Sequence, residues 1–175
     1  MIDMPVKRKG AVTMRGNSVT LIGPELKIGA AAPEFNLAAN DLSSVTLSGS
    51  AGKTRLLIIV PSLDTPTCEL ETVQFNRRLA ELSDDFVVYV ISKDLPFAQT
   101  RFCGAQDVTN LQTLSAYRDD SFGRDYGVLM EGNHLLARAI FIVGPDGEIT
   151  YVQLVGEVAD EPDYDEALDA LGVRV

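Results

Sequence analysis

The stretch Arg55-Leu-Leu-Ile-Ile-Val-Pro-Ser-Leu-Asp-Thr-Pro-Thr-Cys68 decides the fold. Its first half, Leu56 to Val60, is apolar without alternation, the mark of a short strand buried on both faces. Pro61 ends that strand. Thr65-Pro66 then reads as a helix start, with threonine as N-cap and proline at the first helical position. A strand feeding a helix through a sharp turn is the junction of an α/β sheet, and Cys68 falls at the third helical position. Free backbone N–H groups and the positive end of the helix dipole there favour a thiolate. Open α/β sheets also gather their ligands at this end of the strands. A cysteine in a buried first turn can equally be a small hydrophobe. Pro61, Thr65, Pro66 and Cys68 together at one junction tip the reading towards chemistry, with the Thr65 hydroxyl available to the sulfur or to a bound oxygen.

Outward from this junction the pattern continues as α/β. Pro66 to Leu82 lacks glycine and spaces Leu70, Val73, Phe75, Leu79 and Leu82 as a helix would. Phe86–Ile91 is a second buried-strand run. Asp94 to Cys103 reads as a short helix capped by Gly104, Leu111–Leu114 as a third central strand, and Asp120–Tyr126 as a helical turn stopped by Gly127. Ala137–Val143 and Ile149–Val155 flank Gly144-Pro-Asp-Gly147, a hairpin on a type I turn. Pro162–Leu171 closes the chain as a helix with proline at its start and Gly172 past its end. Upstream, Ala11–Ile22 reads as a hairpin around Gly16-Asn17, Gly29–Pro33 as a loop, and Glu34–Leu37 and Val45–Leu47 as short extended pieces. The expectation is a mixed sheet centred on Leu56–Val60 and Phe86–Ile91 with helices on both faces.

At 175 residues the chain has room for one domain, and 46% hydrophobic residues supply a core. Charged residues are 23%, outside the profile of a disordered chain. A formal charge of −10 argues against nucleic acid and against anionic membranes as partners. The longest apolar runs are five or six residues, whereas a spanning helix needs roughly 20. Basic residues near the start are not followed by an apolar secretory core, so a cytoplasmic protein is expected. The segment Glu157–Asp169 carries seven acids and no base. It reads as a solvated helix face whose acids favour the helix N-terminus.

Two cysteines are too few for a disulfide scaffold. Cys103 lies 35 residues after Cys68, near the end of the next helix. Helices that follow adjacent parallel strands can lie close, so a disulfide is open if the Cα atoms come within ~7 Å; a buried spectator is the other reading. Arg138 stands at the mouth of an apolar strand, where a guanidinium either meets an anion or surfaces at the strand end. His134, the single histidine, sits beside Gly132 and Asn133 and reads as a loop residue. With no C-x-x-C and no second histidine, neither a metal nor a cofactor is expected.

At these residues the sequence resembles the thiol peroxidase branch of the peroxiredoxins, the atypical two-cysteine type. Pro61-x-x-x-Thr65-x-x-Cys68 matches the general motif, and Pro-Ser-Leu-Asp-Thr-Pro around it resembles this branch. So do Phe75-Asn76, Asp94-Leu-Pro-Phe-Ala-Gln-Thr-Arg-Phe-Cys-Gly104, Tyr126-Gly-Val128, Ala137-Arg-Ala139 and Glu161-Pro-Asp-Tyr-Asp-Glu-Ala-Leu168. The resemblance implies a single thioredoxin-like domain over residues 1–175, with residues 1–24 as an N-terminal hairpin extension. It also implies a homodimer that reduces hydroperoxides at the expense of thioredoxin. Carried over residue by residue, Cys68 is the peroxidatic and Cys103 the resolving cysteine, joined as an intramolecular disulfide during turnover. Thr65 and Arg138 hold the peroxide oxygens, and Pro61 shields the pocket. Two positions depart from the pattern. Val73 stands where the family often has arginine, which removes a positive charge, and Thr67 replaces the usual valine, which makes the pocket more polar. Outside the resemblance, a thiol–disulfide oxidoreductase on the same fold, a redox-sensing switch and a domain with inert cysteines are the competing readings. Peroxide consumption separates the first of these from a peroxidase.

Overall fold

The computed structural model describes residues 5–173. The first four residues, where the expected extension begins, and the last two lie outside the described residues. Among the described residues there are ten strands and four α-helices, and all but one short strand follow the order expected from the hydrophobic pattern. The Leu56–Val60 run forms β5 (Thr54–Ile59) and the Phe86–Ile91 run forms β6 (Phe86–Ser92). They pair in parallel, and β6 pairs in parallel with β7 (Gln112–Ser115). On the other side β5 meets β9 (Ala139–Val143) antiparallel, and β9 meets β10 (Ile149–Leu154) across the Gly144–Gly147 turn. The far edge is made by β3 (Asn36–Ala38) and β4 (Ser44–Thr46), giving one seven-stranded sheet in the order β10-β9-β5-β6-β7-β3-β4.

Alternation along β5 builds two cores. Leu56, Ile58 and Val60 face α1 (Pro66–Arg78) and α4 (Tyr164–Leu171), meeting Phe75, Leu79, Leu168 and Leu171. Leu57 and Ile59 face the opposite side, against Val12, Leu21, Phe122 and Tyr126. Each such fully buried aliphatic side chain contributes about 1.5–3 kcal/mol, so both faces need cover. Helices were expected on both. The second face instead receives one short helix, α3 (Ser121–Asp125), together with a separate three-stranded sheet. That sheet is the hairpin of β1 (Lys7–Met14) and β2 (Asn17–Ile22), completed by β8 (Leu129–Met130), a strand too short to show in the sequence pattern.

Other boundaries also shift. The hairpin turns on Arg15 and Gly16, both at positive φ (50° and 77°), one residue before the expected Gly16-Asn17. Two consecutive left-handed residues make the primed turn that suits strand twist. Helix α1 ends at Arg78 rather than Leu82, because Leu79 leaves helical geometry to reach the core. Gly104 does not cap its helix: α2 (Pro96–Ala105) runs through it, and Asp107 takes the left-handed position (φ 51°). Pro162 precedes rather than begins α4; Asp163 is the N-cap, accepting from the Glu166 backbone N–H at 2.9 Å, and Gly172 closes the helix at φ 80°. Gly127 does stop α3, and a Cβ there would lie 1.9 Å from the Pro24 carbonyl oxygen.

Candidate active site

Thr65 caps α1 as expected. Its Oγ1 accepts from the Cys68 backbone N–H at 3.4 Å and donates to the Ser62 carbonyl at 3.0 Å. The cap sets Cys68 in the first turn, facing the sheet, where the residue is fully buried. Arg138 comes from the segment leading into β9, immediately before its first residue, and β9 is the neighbour of β5. Its guanidinium therefore arrives over the strand end from which α1 departs. Arg138 Nη2 donates to Cys68 Sγ at 3.2 Å, Nε donates to the Val158 carbonyl at 3.1 Å, and Nη1 donates to the Glu71 carboxylate. Of the two readings left open for Arg138, the structure takes the first: the side chain is buried and meets an anion.

Glu71 is the residue that sequence reasoning missed. It lies three positions after Cys68, hence on the same helical face, and it is fully buried. Burial pushes its carboxyl up to about 7, against the pull of Arg138. For Arg138 burial works against the charge, but Glu71 and the Cys68 sulfur together outweigh it and hold the guanidinium above its usual range. The asymmetry follows from the partners: the arginine faces two electron-rich groups, whereas one Glu71 oxygen is buried with no hydrogen bond at all.

Above this cluster opens a cleft of about 140 Å³ lined by Pro61, Thr65, Pro66, Thr67, Arg138 and Val158, with Met14, Arg15 and Ala159 at its rim. Cys68 contributes no wall; its partners Thr65 and Arg138 do. The Thr67 hydroxyl, which differs from the expected valine, donates to the Ala159 carbonyl at 3.0 Å and so ties α1 to the cleft wall. Val73 is partly buried elsewhere on α1. The hairpin tip reaches the cleft because Thr13 exchanges backbone bonds with Gly156 (2.7 Å) and Val158 (2.8 Å) and because Glu157 holds it. The Glu157 carboxylate accepts from Thr13 Oγ1 (2.8 Å) and from the backbone N–H groups of Arg15 (2.8 Å), Gly16 (3.0 Å) and Ala159 (3.1 Å). Those donors hold the carboxyl down at about 2. Glu157 was expected on a solvated helix face; it precedes α4 and is an anchor instead.

Cys103 lies apart, near the end of α2. Its sulfur is 3.6 Å from Thr113 Oγ1, beside a separate polar depression of about 330 Å³ that includes Asn40, Asp41 and Gln112. Both cysteines are free thiols. His134 is exposed in a loop, with Nδ1 2.7 Å from Asp120 Oδ2.

Comparison with known proteins agrees with this geometry. The model of the Redoxin family matches residues 27–168. A thiol peroxidase of Halalkalibacterium halodurans is 48% identical over 91% of this chain and 96% of its own length. That of Bacillus subtilis is 40% identical over 91% and 95%. Among solved structures, a peroxiredoxin-like protein from Aquifex aeolicus superposes with a TM-score of 0.88 at 43% identity, covering 94% of this chain and 98% of that one. A thiol peroxidase from Chromobacterium violaceum shares the fold at a TM-score of 0.82 and 21% identity, over 92% and 94%. A buried, capped cysteine under an arginine, on a mixed sheet covered by an N-terminal hairpin, thus comes with close relatives along most of its length: the chain belongs to the Redoxin family, in its thiol peroxidase branch.

Proposed function

We propose that this chain is a thiol-specific peroxidase that reduces hydrogen peroxide and organic hydroperoxides, with Cys68 as the attacking sulfur. The observation that carries this is Arg138, a buried guanidinium 3.2 Å from Cys68 Sγ that also forms part of the cleft wall. A fixed positive charge beside both the sulfur and the approaching oxygens stabilises the thiolate and the charge that develops as the O–O bond breaks. The sulfur attacks the terminal peroxide oxygen, an S–O bond forms, and the alkoxide or hydroxide leaves and takes a proton. The peroxide gains two electrons and Cys68 becomes a sulfenic acid. Thr65 turns its hydroxyl from the Ser62 carbonyl to the bound peroxide, and Pro61 keeps water from that side of the pocket.

Cys103 then attacks the sulfenic sulfur; the S–S bond forms and water leaves. A dithiol reductant of the thioredoxin type returns the two electrons by exchange. Cys103 lines a depression separate from the cleft above the buried Cys68, so both helix ends move in each cycle. The chain works as one domain with residues 1–24 as its extension, as a cytoplasmic homodimer. Peroxide consumption coupled to thioredoxin and its reductase tests the proposal: it is expected to disappear in Cys68→Ser, and turnover retained in that variant would remove Cys68 from the chemistry.

A further inference from the structure

Besides the Gln106 Nε2 bond to Glu69 at 2.7 Å, the loop that leads into α1 and Cys68 and the helix that carries Cys103 are joined by side-chain hydrogen bonds that meet on one residue, Asp94. Its Oδ1 accepts from Ser62 Oγ at 2.7 Å, and its Oδ2 accepts from the Leu63 backbone N–H at 2.8 Å and from Ser92 Oγ at 2.7 Å. From Ser62 the link runs to the Cys68 cap, because the Ser62 carbonyl accepts both the Thr65 hydroxyl (3.0 Å) and the Thr65 backbone N–H (3.2 Å). From Ser92 it runs to α2, because Gln99 Nε2 donates to Ser92 Oγ at 3.1 Å and to the Leu114 carbonyl at 2.9 Å. Gln99 and Cys103 are four residues apart on α2, hence on one helical face. The Asp94 carbonyl also accepts from Ser115 Oγ, which fixes the aspartate to β7.

We infer that Asp94 is a positioning residue that couples the two cysteine segments: it holds the Cys68 turn in its peroxide-ready form and has to release that turn before Cys68 and Cys103 can meet. The inference rests on the proposed roles of the two cysteines. Its physical basis is the acceptor count. A carboxylate can accept all three donors at once, whereas an asparagine is uncharged and carries a donor in place of one oxygen, so at least one of the three loses its acceptor. Loss of a hydrogen bond to a charged acceptor inside a partly buried network loosens Ser62, and with it the hydroxyl of Thr65 that faces the cleft. The same loosening lowers the cost of unwinding the start of α1. The two chemical steps should therefore respond in opposite directions. Gln99 offers a weak point in the link, since its carbonyl oxygen is buried without a partner.

Asp94→Asn tests this in two backgrounds, read by rapid quench and mass spectrometry. With Cys103→Ser, oxidation of Cys68 by hydrogen peroxide is expected to slow about tenfold, the weight of one charge-assisted hydrogen bond. With both cysteines present, closure of the Cys68–Cys103 disulfide after one equivalent of peroxide is expected to quicken several-fold. Two rates that fall together, or two that stay unchanged, overturn the coupling. Ser62→Ala removes one of the three bonds to the Asp94 carboxylate, together with the bond from the Asp64 N–H (3.2 Å), and should give the same pair of signs with smaller size; it carries the test should Asp94→Asn not fold. Amide exchange separates the coupling from the cysteine roles. If hydrogen peroxide fails to oxidise Cys68 in the unaltered chain, the proposed function falls. The coupling still requires Asp94→Asn to speed exchange in both residues 62–68 and residues 96–103, and a change confined to one segment overturns it.

Discussion

The two cysteines share an element type, an α-helix packed beside the sheet, and differ in everything that touches the sulfur. Cys68 lies in the first turn of α1 and accepts a hydrogen bond from a cation, Arg138. Cys103 lies near the last turn of α2, where Thr113 is its polar neighbour. Thr113 donates its own proton to Asn40 Oδ1 at 2.9 Å, which leaves the Cys103 S–H to act as donor towards Thr113. One sulfur is placed as an acceptor in a sealed, charged pocket, and the other as a donor at a polar surface depression. Position within a helix sets much of this, since the N-terminal end presents free N–H groups and the C-terminal end free carbonyls. The division suits a reaction that needs a nucleophile first and a thiol partner second.

The sharpest way to break the contrast is to remove each sulfur in turn. Cys68→Ser is expected to abolish oxidation by peroxide altogether. Cys103→Ser is expected to keep the first oxidation at its full rate, consume one equivalent per chain, and then stop with thioredoxin as reductant. Equal losses in both variants would mean that the two sites are not specialised. Next in size is Arg138→Lys, which keeps the charge but cannot span Cys68, Glu71 and the Val158 carbonyl with one fork. Its second-order rate with peroxide should fall about 10²-fold. A rate within twofold of the unaltered chain would show that charge alone suffices.

Glu71 gives a smaller effect and a pH signature. Its carboxyl is raised from 4.5 to about 7 on folding. Its share of stability is therefore full below pH 4.5 and is lost as pH rises through about 7, because the folded chain holds a proton there that the unfolded chain has released. Glu71→Gln should flatten that part of the stability curve and leave peroxide oxidation within a few-fold, since Arg138 keeps Cys68 and Val158. Denaturant midpoints at pH 5 and pH 8 measure it. A slope unchanged by the substitution would place the titration elsewhere.

How far the sequence carries depends on distance along the chain. The Cys68 turn was legible because its cap, proline and preceding strand are contiguous, and Arg138 because a charge inside an apolar run is conspicuous. Glu71 carried one signal, its i+3 spacing from Cys68. A glutamate in a helix nevertheless reads as solvated until Arg138 is brought to it from a strand 67 residues on. Asp94 looked like the first residue of a helix, and its three donors come from two other segments. Cover for the second face of the sheet was misjudged for the same reason: the hairpin's apolar residues show strands, but not that β8 completes a separate sheet with them. Gly104 failed locally. It is exposed and tolerated inside α2, so the helix ends where Asp107, not a glycine, turns left-handed.

The smallest expected effect lies at the rim of the cleft, where the Glu157 carboxylate joins the Thr13 backbone bonds to Gly156 and Val158 in keeping the hairpin tip over the Cys68 side of the molecule. Its four donors hold the carboxyl at about 2, well below an ordinary glutamate at 4.5. Its stabilising share is therefore present above pH 4.5 and lost as pH falls through about 2, the reverse of Glu71. The group is solvent-exposed, so the cost of Glu157→Gln to global stability should be slight. What should change is the wall it organises. The Arg15 and Gly16 N–H groups would lose their charged acceptor, leaving the tip tied by the Thr13 backbone alone, so KM for a bulky organic hydroperoxide should shift while the rate with hydrogen peroxide stays within twofold. Steady-state kinetics with the two substrates, side by side, checks this. A parallel loss with both would mean that Glu157 acts on Arg138 through the Val158 carbonyl rather than on the hairpin wall, and would extend the charged pocket out to the surface.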